Sequence, residues 1–539
     1  MGAIFARAEA ACRHDEIPRV SPADPAPTRR STARSMRRFL GGSALVALFS
    51  AVAVGTAGFE GISTIADAFN RGALVTSPDI TPAPPGAPQT IMIVGSDKRY
   101  LSKDVFDRTD PPHTDTILLV RLDPRAGAVT VLSVPRDLVV PSFSFRGQTY
   151  VNQKINYAYT VGSLYGKSST AGDELALAVV KHALDDIQIN DFIDLNFVTF
   201  TKVVSELGCV YINVDHQYLI PPDTGVSAID LNPGYQPLCY NGALAYVRYR
   251  HGDSTFARDA RQQDFLRQAK DQLGVSGLLS HYQQVLNGLG NSIATSAQLR
   301  SPLAVARLVN LATASLGGPV RQVTFPNDPI AVQTPAGVQA DQTATPRELR
   351  RVIAEFLDSS PSTSRLTLPP ASAPHAARHG HRATAPPPAI PNGLTATADT
   401  TRTQALTLAS AVPFKVELPS LTFDWASQIE GSYDYWSYHF KDASGKERAA
   451  YRITWLDTRD QLGSWYGIQG TDWTDPPLFR AADVAYRDGR RYLLVGDGHH
   501  IKDIGWIDGK AMYWITNTIF DGLTNAQMLA LAQSSRAID

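Results

Sequence analysis

The runs Thr116-Ile117-Leu118-Leu119-Val120-Arg121-Leu122 and Ala128-Val129-Thr130-Val131-Leu132-Ser133-Val134 are joined by Asp123-Pro124-Arg125-Ala126-Gly127. Both runs are rich in β-branched and aliphatic residues, and the five residues between them have hairpin turn chemistry, so the spacing predicts two paired strands. Apolar residues follow one another almost without polar alternation, which means strands covered on both faces. Helices must therefore flank this sheet. Upstream, residues 90–94 read as a short apolar strand ending at Gly95, followed by a long loop. Downstream, residues 174–184, residues 197–207 and the segment from Asp259 carry helical spacing. The fold class is α/β, a three-layer α/β/α domain with a mixed sheet over residues 89–358.

A second stretch, residues 244–263, looks built for chemistry. Arg248 and Arg250 alternate with Val247 and Tyr249, so an extended segment would send both guanidiniums from one face. Beyond Gly252 the spacing turns helical and places Arg258, Arg261 and Gln262 within one turn. Four arginines then converge. Guanidinium forks grip phosphate oxygens bidentately and keep their charge, which suits a di-anionic or pyrophosphate ligand. The competing reading is a solvated charged helix, since Asp253, Asp259 and Asp264 sit among the arginines.

Several ordered segments carry a resemblance: Gly95-Ser96-Asp97-Lys98-Arg99, Thr114-Asp115-Thr116, Val134-Pro135-Arg136-Asp137, Lys154-Ile155-Asn156-Tyr157-Ala158, Gly208-Cys209-Val210, and Ala245-Tyr246-Val247-Arg248-Tyr249-Arg250 followed by Arg258 and Arg261-Gln262-Gln263. In this order the chain resembles the LytR-CpsA-Psr family of extracytoplasmic cell-wall transferases, in an actinobacterial version. The resemblance implies the same three-layer fold and a phosphotransferase. Such an enzyme takes a glycopolymer from its polyprenyl pyrophosphate carrier and attaches it to peptidoglycan, with pyrophosphatase activity on the side. It implies that Asp97 and Asp115 hold a Mg²⁺–pyrophosphate unit, with Mn²⁺ as a substitute. Arg99, Arg136, Lys154, Arg248, Arg250, Arg258 and Gln262 match positions that bind the phosphates or shape that site, and Asp97, Asp115, Arg248 and Arg250 are the catalytic candidates. Pyrophosphate chemistry asks for this: a hard cation on one or two carboxylates neutralises part of the charge, and arginines neutralise the rest. The role of Asp137 is left open beside Arg136.

This chain departs from the family pattern at His113, where an Arg is common, and at Thr255, where an Asp is common. Arg108-Thr109-Asp110 competes as the motif, but only Asp115 directly precedes a strand. The lipid half of the substrate asks for an apolar tunnel, for which the helices at 174–184 and 197–207 would serve, while a filled core has the same sequence pattern. A non-catalytic protein that binds polyprenyl phosphate or wall glycan is the alternative. A DNA-binding regulator is argued against by the topology below and by the lack of a basic helix-turn-helix.

At 539 residues the chain exceeds one core. Its net charge of −1 sets up no global field for nucleic acid, so electrostatic recognition must be local. Residues 39–59 run for 21 positions without a charge, long enough for a transmembrane helix. Arg29, Arg30, Arg34, Arg37 and Arg38 flank it on one side, which places the N-terminus in the cytoplasm and the later domains outside. The competing reading is a cleaved signal peptide with Ala51-Val52-Ala53 as its site; the long preceding tail favours an anchor. Residues 1–38 read as a disordered cytoplasmic tail and 60–88 as a Pro-rich stalk. Cys209 and Cys239 follow the anchor in an oxidising setting, and actinobacterial relatives often carry such a pair, so one disulfide is expected. No His or Asn context makes either cysteine catalytic.

Residues 359–411 are a Pro/Ala/His-rich linker whose histidines lack partner ligands for a metal. Residues 412–539 form a separate accessory domain holding all seven tryptophans. Hairpin turns at Asp488-Gly489 and Asp508-Gly509 predict an antiparallel sheet, closed by a helix capped at Thr524. The tryptophans either stack on wall sugars or fill the core, and their bulk favours the core.

Overall fold

In the computed structural model the described residues are 62–64, 66–96, 112–222, 228–249, 255–280, 293–316, 320–326, 328–334, 337–360, 365–369, 393–428, 434–459 and 464–538. The hairpin that opens the reading is present. Thr114–Asp123 pairs antiparallel with Ala128–Ser133, and the turn is built as its residues dictate. The Asp123 carboxylate accepts from the amides of Arg125 (2.9 Å) and Ala126 (3.3 Å), and Gly127 takes φ +59°, a conformation that costs glycine little.

These two strands belong to a mixed seven-stranded sheet. Its order is Ala73–Val75, Ile293–Ser296, Asp191–Asn196, Gln89–Ser96, Thr114–Asp123, Ala128–Ser133, Val320–Val323. Three neighbour pairs are parallel and three antiparallel. Strand alternation explains why the runs are apolar throughout: Met92, Val94, Ile117 and Leu119 point to one core, and Ile91, Leu118, Val120 and Leu122 to the other. Helices Tyr157–Gly166, Ser169–Ala183 and Pro346–Leu357 cover the first face. The second is covered by Thr255–Ser280 and Pro302–Leu316. At Gly95 the pairing register shifts where the chain leaves toward Asp97.

Two boundaries differ from the composition-based reading. Residues 60–88 were expected to stand off as a stalk, yet Ala73–Val75 is the edge strand of the main sheet and Val75 and Ile80 lie in its core. The prolines of residues 82–88 are real breakers, but the apolar residues before them gain more by burial than by staying extended. Residues 359–411 were expected to be linker throughout, yet Leu394–Ala396 pairs with Leu421–Phe423, and Ala405 and Leu408 of the helix Asp399–Ala409 enter the C-terminal core.

The C-terminal region is an eight-stranded antiparallel sheet. Both predicted hairpins occur, and Thr524 caps Asn525–Ser534 through a capping box with Gln527. Trp455, Trp465, Trp473, Trp506 and Trp514 are buried, so the core reading of the tryptophans holds for these five. Gly61–Asp539 clusters as one compact unit, and the junction inside it is specific. The strand Gly234–Leu238 places Tyr235, fully buried, among Tyr211, Phe440, Trp473 and Trp514. The Tyr235 hydroxyl accepts from the Leu478 amide (2.9 Å), and the Tyr438 hydroxyl accepts from the Tyr235 amide (2.7 Å). Gly234 at φ +113° is required there, because a Cβ would lie 2.4 Å from the Tyr438 ring. Asn213 accepts from the buried Arg452 and donates to Thr516.

Residues 1–61 lie outside the description, and with them the expected anchor at 39–59. Among the described residues no helix is long and apolar enough to cross a membrane.

Candidate functional site

The site is organised by a helix where a strand was expected. Tyr240–Arg248 is α-helical, so Arg248 does not alternate along a strand face, and Arg250 lies outside the described residues. Ala243, Leu244 and Ala245 favour a helix, and Ala243 and Tyr246, three apart, are the residues it buries. The two-residue alternation Val247–Arg250 was too short to outweigh that pattern. The helix end explains itself through its neighbour. Buried Arg261 donates from Nε to the Tyr246 carbonyl (3.1 Å) and from Nη2 to the Tyr249 carbonyl. Gln262 Nε2 donates to the Val247 carbonyl (3.1 Å). Carbonyls that a helix C-terminus leaves unpaired are thus taken up by the long helix Thr255–Ser280. Arg261, expected to converge on a phosphate, is consumed structurally; its guanidinium also lies 4.7 Å from the Tyr218 ring centroid. The helix start is tied by a disulfide between Cys209 and Cys239, Cα atoms 4.7 Å apart.

Against this helix lies a cavity of about 610 Å³. Asp115 enters from the strand Thr114–Asp123, Arg136 from the loop after Ala128–Ser133, Arg248 from the end of Tyr240–Arg248, and Arg258 and Gln262 from Thr255–Ser280. Arg136 Nη1 donates to Asp115 Oδ1, and Arg248 Nη2 stands 3.8 Å from Asp115 Oδ2. The Arg248 guanidinium is also stacked 4.1 Å from the Phe197 ring centroid, which fixes its plane. Arg258 gives both Nε and Nη2 to Asp259 Oδ1, at 3.2 and 2.9 Å. Gln262 Nε2 also donates to Thr116 Oγ1 (2.8 Å), tying helix to sheet, while Gln262 Oε1 has no hydrogen-bond partner among the described residues. Three guanidiniums and one carboxylate therefore line one space.

Lys154 does not line this cavity. Its Nζ pairs with Asp137 Oδ1 at 3.0 Å, and Asp137 Oδ2 stands 3.6 Å from Arg136 Nε, so Asp137 couples Lys154 to Arg136. Asp97 and Arg99 lie outside the described residues. His113 is half-buried at the start of the strand that carries Asp115.

The rest of the lining includes apolar side chains: Ile220, Ile229, Leu244, Ala245 and Val247. In sequence the helices at 174–184 and 197–207 fit a tunnel lining and a filled core equally. Leu175, Leu177, Val179 and Val180 fill the main core, and the apolar lining of the cavity comes from the hairpin Tyr218–Ile220/Ile229–Leu231 and the site helix. Phe197, Thr116 and Asp259 were not read as site residues. Thr116 adjoins Asp115 in its motif and Asp259 adjoins Arg258, which is the signal that could have found them; Phe197 meets the site only through the fold.

The structure is thus a three-layer α/β/α domain in which one end of an interior strand opens into an arginine-lined, half-apolar cavity. The chain belongs to the LytR_cpsA_psr family, whose model matches residues 63–344, just over half of the chain. It is 26% identical over 217 residues to the polyisoprenyl-teichoic acid–peptidoglycan teichoic acid transferase TagT of Bacillus subtilis, covering 40% of this chain and 62% of that one. To TagV of the same organism it is 25% identical over 331 residues, covering 59% and 79%. The match to a Staphylococcus aureus relative spans 42% of that protein's length. Among solved structures, TagT bound to LIIa-WTA aligns at 22% identity with TM-score 0.38, covering 53% of this chain and 98% of that one.

Proposed function

We propose that the protein is a membrane-anchored extracytoplasmic phosphotransferase that moves a glycopolymer from a polyprenyl pyrophosphate carrier to peptidoglycan. The observation that supports this reading most is the single cavity that combines Arg136, Arg248 and Arg258 with an apolar lining. A pyrophosphate carrying a lipid presents both halves of that chemistry. Family membership and the names of the transferase relatives agree with it.

On this reading Arg136 and Arg248, which now share Asp115, turn to the incoming phosphate oxygens. Each exchanges a neutralised carboxylate for a ligand with more negative charge. Asp115 is thereby freed on the cavity wall. Its hard oxygens, with those of Asp97, suit Mg²⁺ or Mn²⁺, whose remaining coordination positions the phosphates and water would fill. The cation would supply charge neutralisation as the bond to the leaving phosphate breaks. Arg258 is held by Asp259 and lines the cavity, where its N–H groups beyond those given to Asp259 would meet the phosphate. The polyprenyl monophosphate leaves, and its chain is kept along Ile220, Ile229 and Leu244. Hydrolysis in place of transfer gives pyrophosphatase activity on the side. The expected anchor at residues 39–59 would keep this cavity beside the membrane that holds the carrier.

Mass spectrometry of the full-length protein extracted in detergent tests the lipid assignment. Polyprenyl phosphate or pyrophosphate should co-purify with the wild type and be depleted in Leu244→Glu, which puts a charge in the apolar lining. Equal lipid in both would place it elsewhere.

A further inference from the structure

On the far side of the helix Thr255–Ser280 is a second cavity, of about 290 Å³, between the first domain and the C-terminal sheet. Its floor carries polar groups with unused hydrogen-bonding capacity. Asp259 is 6% exposed, and only its Oδ1 is engaged, by Arg258; Oδ2 has no partner among the described residues. Ser133, 2% exposed, leaves its hydroxyl unpaired, and Gln322 leaves its Nε2 unpaired. Buried polar groups without partners are costly and usually mark a bound ligand or water. The rim adds Arg351 and Glu355 from the helix Pro346–Leu357 and, from the C-terminal domain, Asp497, His500 and Asp521. Phe325 and Ile519 supply an apolar side.

The donor and acceptor pattern selects a ligand class. Asp259 Oδ2 accepts, Gln322 Nε2 donates, and the Ser133 hydroxyl does either. A fully ionised phosphate only accepts, so it gives Asp259 Oδ2 no donor, and the four carboxylates Asp259, Glu355, Asp497 and Asp521 outnumber Arg351 and His500 around it. An ammonium only donates and would leave Gln322 unsatisfied. Hydroxyl groups do both, and a sugar ring adds a C–H face for Phe325 and Ile519. Burial raises the Asp259 carboxyl above the usual carboxylate range even against the adjoining Arg258 guanidinium, so a hydroxyl donor to it relieves a real desolvation cost.

We propose that this interdomain cavity binds one neutral saccharide unit, with Asp259, Ser133 and Gln322 as its polar floor. The site is distinct from the pyrophosphate cavity and shares with it only the Arg258–Asp259 pair. At about 290 Å³ the cavity has room for a single sugar ring.

Ligand-observed saturation-transfer NMR on the full-length protein in detergent micelles tests this, with galactose and N-acetylglucosamine as probes. The two probes separate a plain hexose from an N-acetylated one. Transfer to at least one is expected, unchanged by millimolar inorganic pyrophosphate. Affinity should fall about tenfold in the Gln322→Leu/Ser133→Ala double variant. Glu355→Trp, at an exposed rim position, should block binding without touching the buried floor and keeps the test open if the double variant does not fold. No transfer to either sugar means a water-filled cavity and overturns the proposal. Undiminished binding in the variants, or displacement by pyrophosphate, overturns it too.

Discussion

Replacing Arg248 with Lys keeps a positive charge at the cavity but removes the planar fork. In the structure that fork does two things at once: Nη2 faces Asp115 Oδ2 at 3.8 Å, and the guanidinium lies 4.1 Å from the Phe197 ring centroid. An ammonium offers a point charge and no flat face. One charge-assisted hydrogen bond contributes about 1.5–3 kcal/mol, so kcat/KM for polyprenyl pyrophosphate cleavage should fall about ten- to hundredfold. Phe197→Leu removes only the stacking, about 0.5–1 kcal/mol at a partly exposed site, and should cost roughly two- to fivefold. Because both changes act on one guanidinium, the double variant should be no slower than Arg248→Lys alone. The assay is release of polyprenyl monophosphate by the purified full-length protein. Wild-type kcat/KM in Arg248→Lys, or strict multiplication of the two effects, would refute the idea that Phe197 orients a phosphate-binding Arg248.

Arg261→Met should destabilise the fold by about 3–5 kcal/mol, because it leaves the Tyr246 and Tyr249 carbonyls at the helix end without their buried donor; equilibrium denaturation measures it, and a loss under about 1 kcal/mol would show that the cap is dispensable. Tyr235→Phe removes only the hydroxyl that pairs with the Leu478 amide and should cost about 1–3 kcal/mol, with the two domains still unfolding together; an unchanged transition midpoint would sink that junction. Burial pushes the Asp191 carboxyl up to about 6, against the donated Ser296 hydroxyl. Its folded value lies above its unfolded one, so the native state holds the extra proton and loses stability as pH rises from about 4 to 6. Asp191→Asn should therefore gain roughly 2 kcal/mol at pH 7.5 and nothing near pH 4; equal stability of the two proteins at pH 7.5 would contradict the shift.

The layer order of the first domain was legible because its strands are covered on both faces. Residues 116–134 say so in their unbroken apolar runs, and Asp123 with Gly127 writes the turn. The C-terminal hairpins were legible for the same reason, through Asp488-Gly489 and Asp508-Gly509. Tyr240–Arg248 was misread because Val247–Arg250 alternates over too few residues to separate a strand from a helix end. What settles it is distant: Arg261 and Gln262, twelve to fifteen residues on, take up the carbonyls. The edge strand Ala73–Val75 was hidden for a related reason, since its partner Ile293–Ser296 lies over two hundred residues away. In the site, Asp115, Arg136, Arg248, Arg258 and Gln262 were named from motifs and line one cavity. Lys154 reaches it only through Asp137. Phe197 could not be named, because a ring beneath a guanidinium is a fact of packing.

The central claim is that the Asp115–Arg136–Arg248 cavity carries out transfer. Its most direct test is transfer of a labelled glycan from a polyprenyl pyrophosphate donor to isolated peptidoglycan by the full-length protein, compared with Asp115→Asn across Mg²⁺ concentrations. The proposed function predicts transfer by the wild type. In the variant the rate should fall about a hundredfold at low Mg²⁺ and partly return as Mg²⁺ rises, because the amide is a poorer ligand for a hard cation. Transfer by Asp115→Asn at the wild-type rate, with the same Mg²⁺ dependence, would contradict it.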